Sequence, residues 1–93
     1  MKVRWLDQAV EDLKAMRAYI ARHNPSAAGD VAQRIRDAVR ILGNYPAVGR
    51  AGRAPNTREL VIAGTPYILP YRVRAGSVEI LRVLHGAQQW PES

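Results

Sequence analysis

The sequence predicts an α+β domain: an N-terminal strand, an α-helical hairpin, then a three-stranded antiparallel meander, all in one small, mostly antiparallel sheet. Two observations carry this. Apolar residues recur at spacings of three and four through the first half, the repeat of a helix face, and alternate by two through the second half, the repeat of a strand. Turn residues (Gly43-Asn44, Gly64-Thr65, Ala75-Gly76) fall between the periodic segments and fix the order of elements.

"KVRW" opens the chain as a short strand, with Val3 and Trp5 on one face. Leu6, Ala9, Val10, Leu13, Met16 and Ile20 then form one stripe of an amphipathic helix. Asp7 is placed to cap its first turn, Glu11 adds charge favourable to the helix dipole, and the helix is expected to end near His23. A second helix starts at Asn24-Pro25, a good N-cap followed by a proline whose missing N–H needs no helical partner. Its buried stripe is Ala28, Val31, Ala32, Ile35, Ala38, Val39 and Leu42, and Gly43 is expected to stop it. So tight a link makes the two helices an antiparallel hairpin.

The segment "YPAVGRAGRAPN" has two open readings, a connector or a phosphate grip in which Arg50 and Arg53 flank glycines. It lacks the spacing of a nucleotide-binding loop. "TRELVIA", "PYILPYRV" and "SVEILRVLH" are the three strands. Turning at Ala75-Gly76 pairs Val73 with Val78, Arg72 with Glu79 and Tyr71 with Ile80. Pro70 cannot donate to a ladder and implies a bulge or an unpaired segment. If the last strand is regular, Arg82 and His85 point to opposite faces, and a cooperating pair requires a bulge between them.

Ninety-three residues make one domain, residues 1–93, with no Phe in its core. Without cysteine there are no disulfides and no cysteine-based zinc site, and no cofactor or metal is expected. Charges interrupt the N-terminus before a signal peptide can form, and no run approaches the roughly 20 apolar residues of a membrane span. A soluble cytoplasmic protein is expected, with no membrane partner. Lys and Arg number 14 against 8 Asp and Glu, a net charge of +6, and all but Lys2 and Lys14 of the bases are arginine. Guanidinium forks suit phosphates and carboxylates, so the expected partner is a nucleic acid or an acidic protein segment.

Several segments, in order and over nearly the whole chain, carry a resemblance: "AVEDLKAMRAYIARHNPSAA", "VGRAGRAPNTRELVI", "PYILPYRV" and "VEILRVLHGAQQWP". Together they resemble the RelE/ParE superfamily of toxins from bacterial type II toxin–antitoxin systems, on its ParE-like branch. That resemblance implies one of two activities on a shared fold. RelE-like members cut messenger RNA in the ribosome with basic side chains and a base. ParE-like members poison DNA gyrase by binding. Both are neutralised by a small antitoxin, here a ParD-like protein in a higher-order complex, through which operator DNA is reached indirectly.

Against the RelE-like pattern, Ile68 stands where an Arg is typical, Glu59 and Val61 where lysines are, and Ala87, Gln88, Gln89 and Trp90 where the terminal Tyr or Arg region is. What is left locally is Arg58, Arg72, Arg82 and His85. In the nuclease reading His85 would be acid or base, with Arg72 or Arg82 stabilising charge. In the ParE-like reading "VLH" ends a strand, and the Arg-rich surface and the tail "AQQWPES" with Trp90 are the effector candidates. Arg17, Arg34 and Arg40 are candidate antitoxin contacts and equally read as solvated helix faces.

Overall fold

A computed structural model describes residues 1–86 and 88–91. The chain runs β1 (Lys2–Trp5), α1 (Asp7–Ala21), α2 (Pro25–Asn44), β2 (Arg50–Ala51), β3 (Arg58–Val61), β4 (Tyr67–Arg74), β5 (Ser77–Ile80) and β6 (Leu84–His85). The strands form one sheet in the order β1-β5-β4-β3-β2, with β6 pairing to β4. Among the described residues only β1 and β5 are parallel; the other pairs are antiparallel.

The hairpin covers one sheet face. Ala9 and Met16 of α1, and Ala28, Ala32, Ile35, Val39 and Leu42 of α2, are buried, as the two stripes predict. Opposite them lie Leu69, Tyr71, Val78 and Ile80, with Val3, Trp5 and Leu60 packed at the margin. Full burial of each large aliphatic or aromatic side chain contributes about 1.5–3 kcal/mol, so this layer is the main source of stability. Asn24 caps α2 as expected, its Oδ1 accepting from the Ala27 N–H at 3.1 Å.

Two helix ends differ from the sequence reading. Leu6, in an extended conformation, precedes α1 with no side-chain cap, and Asp7 is already helical. It acts through its charge on the dipole instead. Gly43 does not end α2, which continues to Asn44 with Tyr45 as its cap. The glycine allows the chain start to approach: a Cβ there would meet the Met1 carbonyl at 3.1 Å, and the Met1 ammonium donates to Gly43 O at 2.9 Å.

The β4–β5 register is as predicted: Val73 opposite Val78, Arg72 opposite Glu79, Tyr71 opposite Ile80. Ala75 and Gly76 both have positive φ, +51° and +76°, the backbone of a two-residue hairpin loop whose twist matches the strands. The expected single last strand is instead broken. Tyr71 faces Ile80, yet Ile68 faces Leu84, so Leu69 and Pro70 lie opposite Leu81, Arg82 and Val83. This is the one-residue bulge that Pro70 implied. A strand residue's N–H and C=O point the same way, and Pro70 O accepts from Leu81 N at 2.9 Å, so its missing N–H faces the break. The segment read as a connector or grip also contains a strand, β2, which pairs Arg50 with Glu59 and Ala51 with Arg58.

Candidate functional site

The bulge overturns the opposite-face expectation for Arg82 and His85. Past the extra residue the alternation shifts, and His85 falls opposite Tyr67 with its ring edge-on to the tyrosine at 5.9 Å. Both side chains now belong to the helix-covered side. There a cleft of about 530 Å³ opens between α1 and the β4–β6 pair, lined by Asp12, Met16, Tyr19, Tyr67, Val83 and His85. Arg82 borders it through Asp12. Its Nε and Nη2 donate to the carboxylate at 2.7 and 3.2 Å, and the Val83 N–H adds a third bond at 3.0 Å. Burial pushes the Asp12 carboxyl up, but the bonds from Arg82, Val83 and Gln8, with the Arg82 charge, outweigh it and hold the pKa below the ordinary value. In Tyr67, burial and the neighbouring Tyr19 raise the phenol's pKa.

The other sheet face is not covered by the helices. Glu79 is buried among arginines there: Arg72 Nε donates to it at 2.6 Å and Arg4 Nη1 at 3.5 Å. The Arg72 bond holds the Glu79 pKa down against burial, aided by the charges of Arg72, Arg4 and Arg74. Two strands away, Glu59 is likewise buried, accepting from Arg50 Nη2 at 3.1 Å and from Arg53 through both its backbone N and Nε at 3.0 Å. Burial raises the Glu59 pKa, and these bonds more than reverse it. Arg50 and Arg53 therefore fold the 50–53 segment onto the sheet, where the sequence left a connector and a phosphate grip open. Ile68, at the position where RelE-like nucleases have Arg, is buried against Leu84.

The sheet thus separates the three residues of the nuclease reading. Arg72 lies on the uncovered face with Glu79, while Arg82 and His85 lie on the helix side. Arg58 donates to Gly49 O at 2.9 Å and shares a second cleft, of about 360 Å³, with Arg72, Tyr71 and Asn56. Trp90 is half-buried in the tail, where Gln88 O accepts from Arg53 at 3.1 Å; Ala87, Glu92 and Ser93 lie outside the described residues. Arg17 is exposed on α1; Arg34 donates to Ala63 O at 3.4 Å, and Arg40 pairs with Asp37 at 3.1 Å. No helix of the described residues is long and apolar enough to cross a membrane.

Asp12 was not singled out from the sequence. The signal was there: Ala9, Asp12 and Met16 are spaced three and four apart, which puts the acid in a row between two buried residues. The paired arginines of Glu59 were harder to find, because β2 is two residues long.

Comparison with known proteins agrees with the fold. A protein of Sinorhizobium fredii named "Putative toxin Y4kP" is 50% identical over 98% of this chain and 94% of its own length. Toxin RelE2 of Caulobacter vibrioides is 40% identical over 94% of this chain and 97% of its own. Toxin RelE1 of the same organism is 29% identical over 88% and 89%. A solved structure described as "Chromosomal ParDE TA system from P. aeruginosa" superposes with a TM-score of 0.83 at 27% identity, covering 91% of this chain and 95% of that one. Residues 3–90 match the family model described as "ParE toxin of type II toxin-antitoxin system, parDE". The protein is a member of the ParE toxin family of type II toxin–antitoxin systems.

Proposed function

We propose that this toxin arrests growth by binding DNA gyrase, with no chemical step of its own, and that a cognate ParD-like antitoxin neutralises it in the cytoplasm. One observation carries the non-enzymatic part. The two cations that the nuclease reading assigns to a scissile phosphate, Arg72 and Arg82, are held by Glu79 and Asp12 on opposite sides of the sheet. A nuclease needs such groups converging with a base on one phosphodiester. The antitoxin is read as engaging the toxin in a higher-order complex built on an antitoxin dimer, which brings operator DNA indirectly. Arg17, Arg34 and Arg40 on the hairpin are its candidate contacts, and Trp90 with the tail a candidate gyrase contact.

A RelE-type mRNA interferase is the second reading. It is favoured by the names of the two Caulobacter relatives and by exposed His85 standing on Tyr67 at a cleft. Pulse-labelling after toxin induction separates the two. Gyrase inhibition stops DNA synthesis first, whereas mRNA cleavage stops protein synthesis first. Growth without arrest would mark a non-toxic, antitoxin-binding remnant.

A further inference from the structure

We infer that the arginine-rich surface on the sheet face away from the helices is itself a duplex-DNA docking surface, so that the toxin contacts the DNA backbone without its antitoxin. Alternation from the paired residues puts Lys2, Arg4, Arg50, Arg72 and Arg74 on this face, the bond from Arg53 to Glu59 adds Arg53, and among the described residues Glu59 and Glu79 are its only carboxylates. Six cations against two carboxylates leave a formal excess of four.

Depth increases the asymmetry. The Glu59 and Glu79 side chains are 1% and 9% exposed, while those of Arg50 and Arg4 are 57% and 63% exposed. Each carboxylate forms a floor that orients two guanidinium forks and is screened by them, so an approaching partner meets cations. Fixed forks lose less rotamer freedom when they grip a phosphate.

Spacing selects the partner. Glu79 on β5 and Glu59 on β3 flank β4, opposite Arg72 and Pro70, so two strand spacings of about 4.8 Å and an offset of two residues set the two carboxylate floors about 12 Å apart. That is close to the roughly 12 Å width of a major groove, so each arginine cluster meets one of the two phosphate rows bordering it. Along the strands, Lys2 and Arg4 on β1, and Arg72 and Arg74 on β4, lie two residues or about 7 Å apart, a length that covers about two phosphates of one DNA strand.

The test is fluorescence anisotropy of purified toxin with a short labelled duplex of mixed sequence over a range of salt, with no gyrase present. Failure here therefore leaves the gyrase reading untouched, and the reverse holds too. The triple variant Arg4→Gln, Arg50→Gln, Arg74→Gln leaves Glu79 with Arg72 and Glu59 with Arg53, which keeps both floors paired. It is expected to lower affinity by roughly tenfold or more and to flatten the slope of log K against log salt by about 2.7, at about 0.9 per phosphate contact. A charge-matched control on the hairpin, Lys14→Gln, Arg22→Gln, Arg36→Gln, is expected to stay near wild type. Equal losses in both variants, or no binding by wild type, would overturn the proposal. So would tighter binding of single-stranded RNA, or of a polyglutamate peptide of matched charge. Should the sheet triple misfold by circular dichroism, the pair Lys2→Gln, Arg74→Gln gives the same reading at about two-thirds of the slope change.

Discussion

Replacing Asp12 with Ala removes the clamp between α1 and the bulge. The carboxylate accepts four hydrogen bonds: two from Arg82, one from the Val83 N–H and one from Gln8 at 3.2 Å. Exposed ion pairs contribute at most about 1 kcal/mol, and breaking a fully buried pair costs about 3–5 kcal/mol. Here the Arg82 and Asp12 side chains are 20% and 13% exposed, nearer the buried limit, and the Val83 N–H loses its acceptor as well. Asp12→Ala is therefore expected to cost about 2–4 kcal/mol. At about 4–8 °C per kcal/mol for a domain of this size, Tm falls by roughly 10–30 °C. Asp12→Asn keeps an acceptor for Val83 and is expected to cost less. Urea denaturation of Asp12→Ala, Arg82→Ala and the double variant isolates the pair, with an expected coupling of about 1–3 kcal/mol. A loss below about 0.5 kcal/mol in the single variant, or no coupling in the cycle, would refute the clamp.

Acid weakens the fold through the same chemistry. Asp12, Glu59 and Glu79 all have lowered pKa values, so between the folded and ordinary values the native state binds fewer protons than the unfolded chain. Their stabilisation is complete above about pH 5 and is lost as pH falls through the folded values, and Tm against pH should show it; Glu59→Gln removes part of that slope. Tyr71→Phe strips a buried hydroxyl that donates to Pro46 O and accepts from the Gly49 N–H, both at 2.8 Å. A loss of about 1–3 kcal/mol by urea denaturation is expected. His85→Ala is expected to fold and to arrest growth as wild type does. Loss of toxicity with a native circular dichroism spectrum would move the account to the nuclease reading.

Local periodicity made most of the fold legible. The two helical stripes, the Asn24 cap and the Arg72–Glu79 register follow from spacing over a few residues, where sequence and contact nearly coincide. What escaped depends on residues far apart in the chain. Arg82 meets Asp12 across 70 positions, and no pattern around either one names the other. Pro70 announced a bulge, but not that the extra residue would lie on the facing strand and turn His85 over. Glu59, read only as standing where the RelE-like pattern has a lysine, turns out to anchor the 50–53 segment. The candidate site was half legible for that reason: its residues were named and Glu79 was matched to Arg72, but Asp12 was not matched to Arg82, nor Glu59 to Arg50 and Arg53.

The central claim is inhibition of gyrase by binding. The most direct measurement is supercoiling of relaxed plasmid by purified gyrase titrated with toxin, with and without the cognate antitoxin. The account predicts inhibition with accumulation of cleaved DNA, relieved by the antitoxin. Normal supercoiling in excess folded toxin would contradict it.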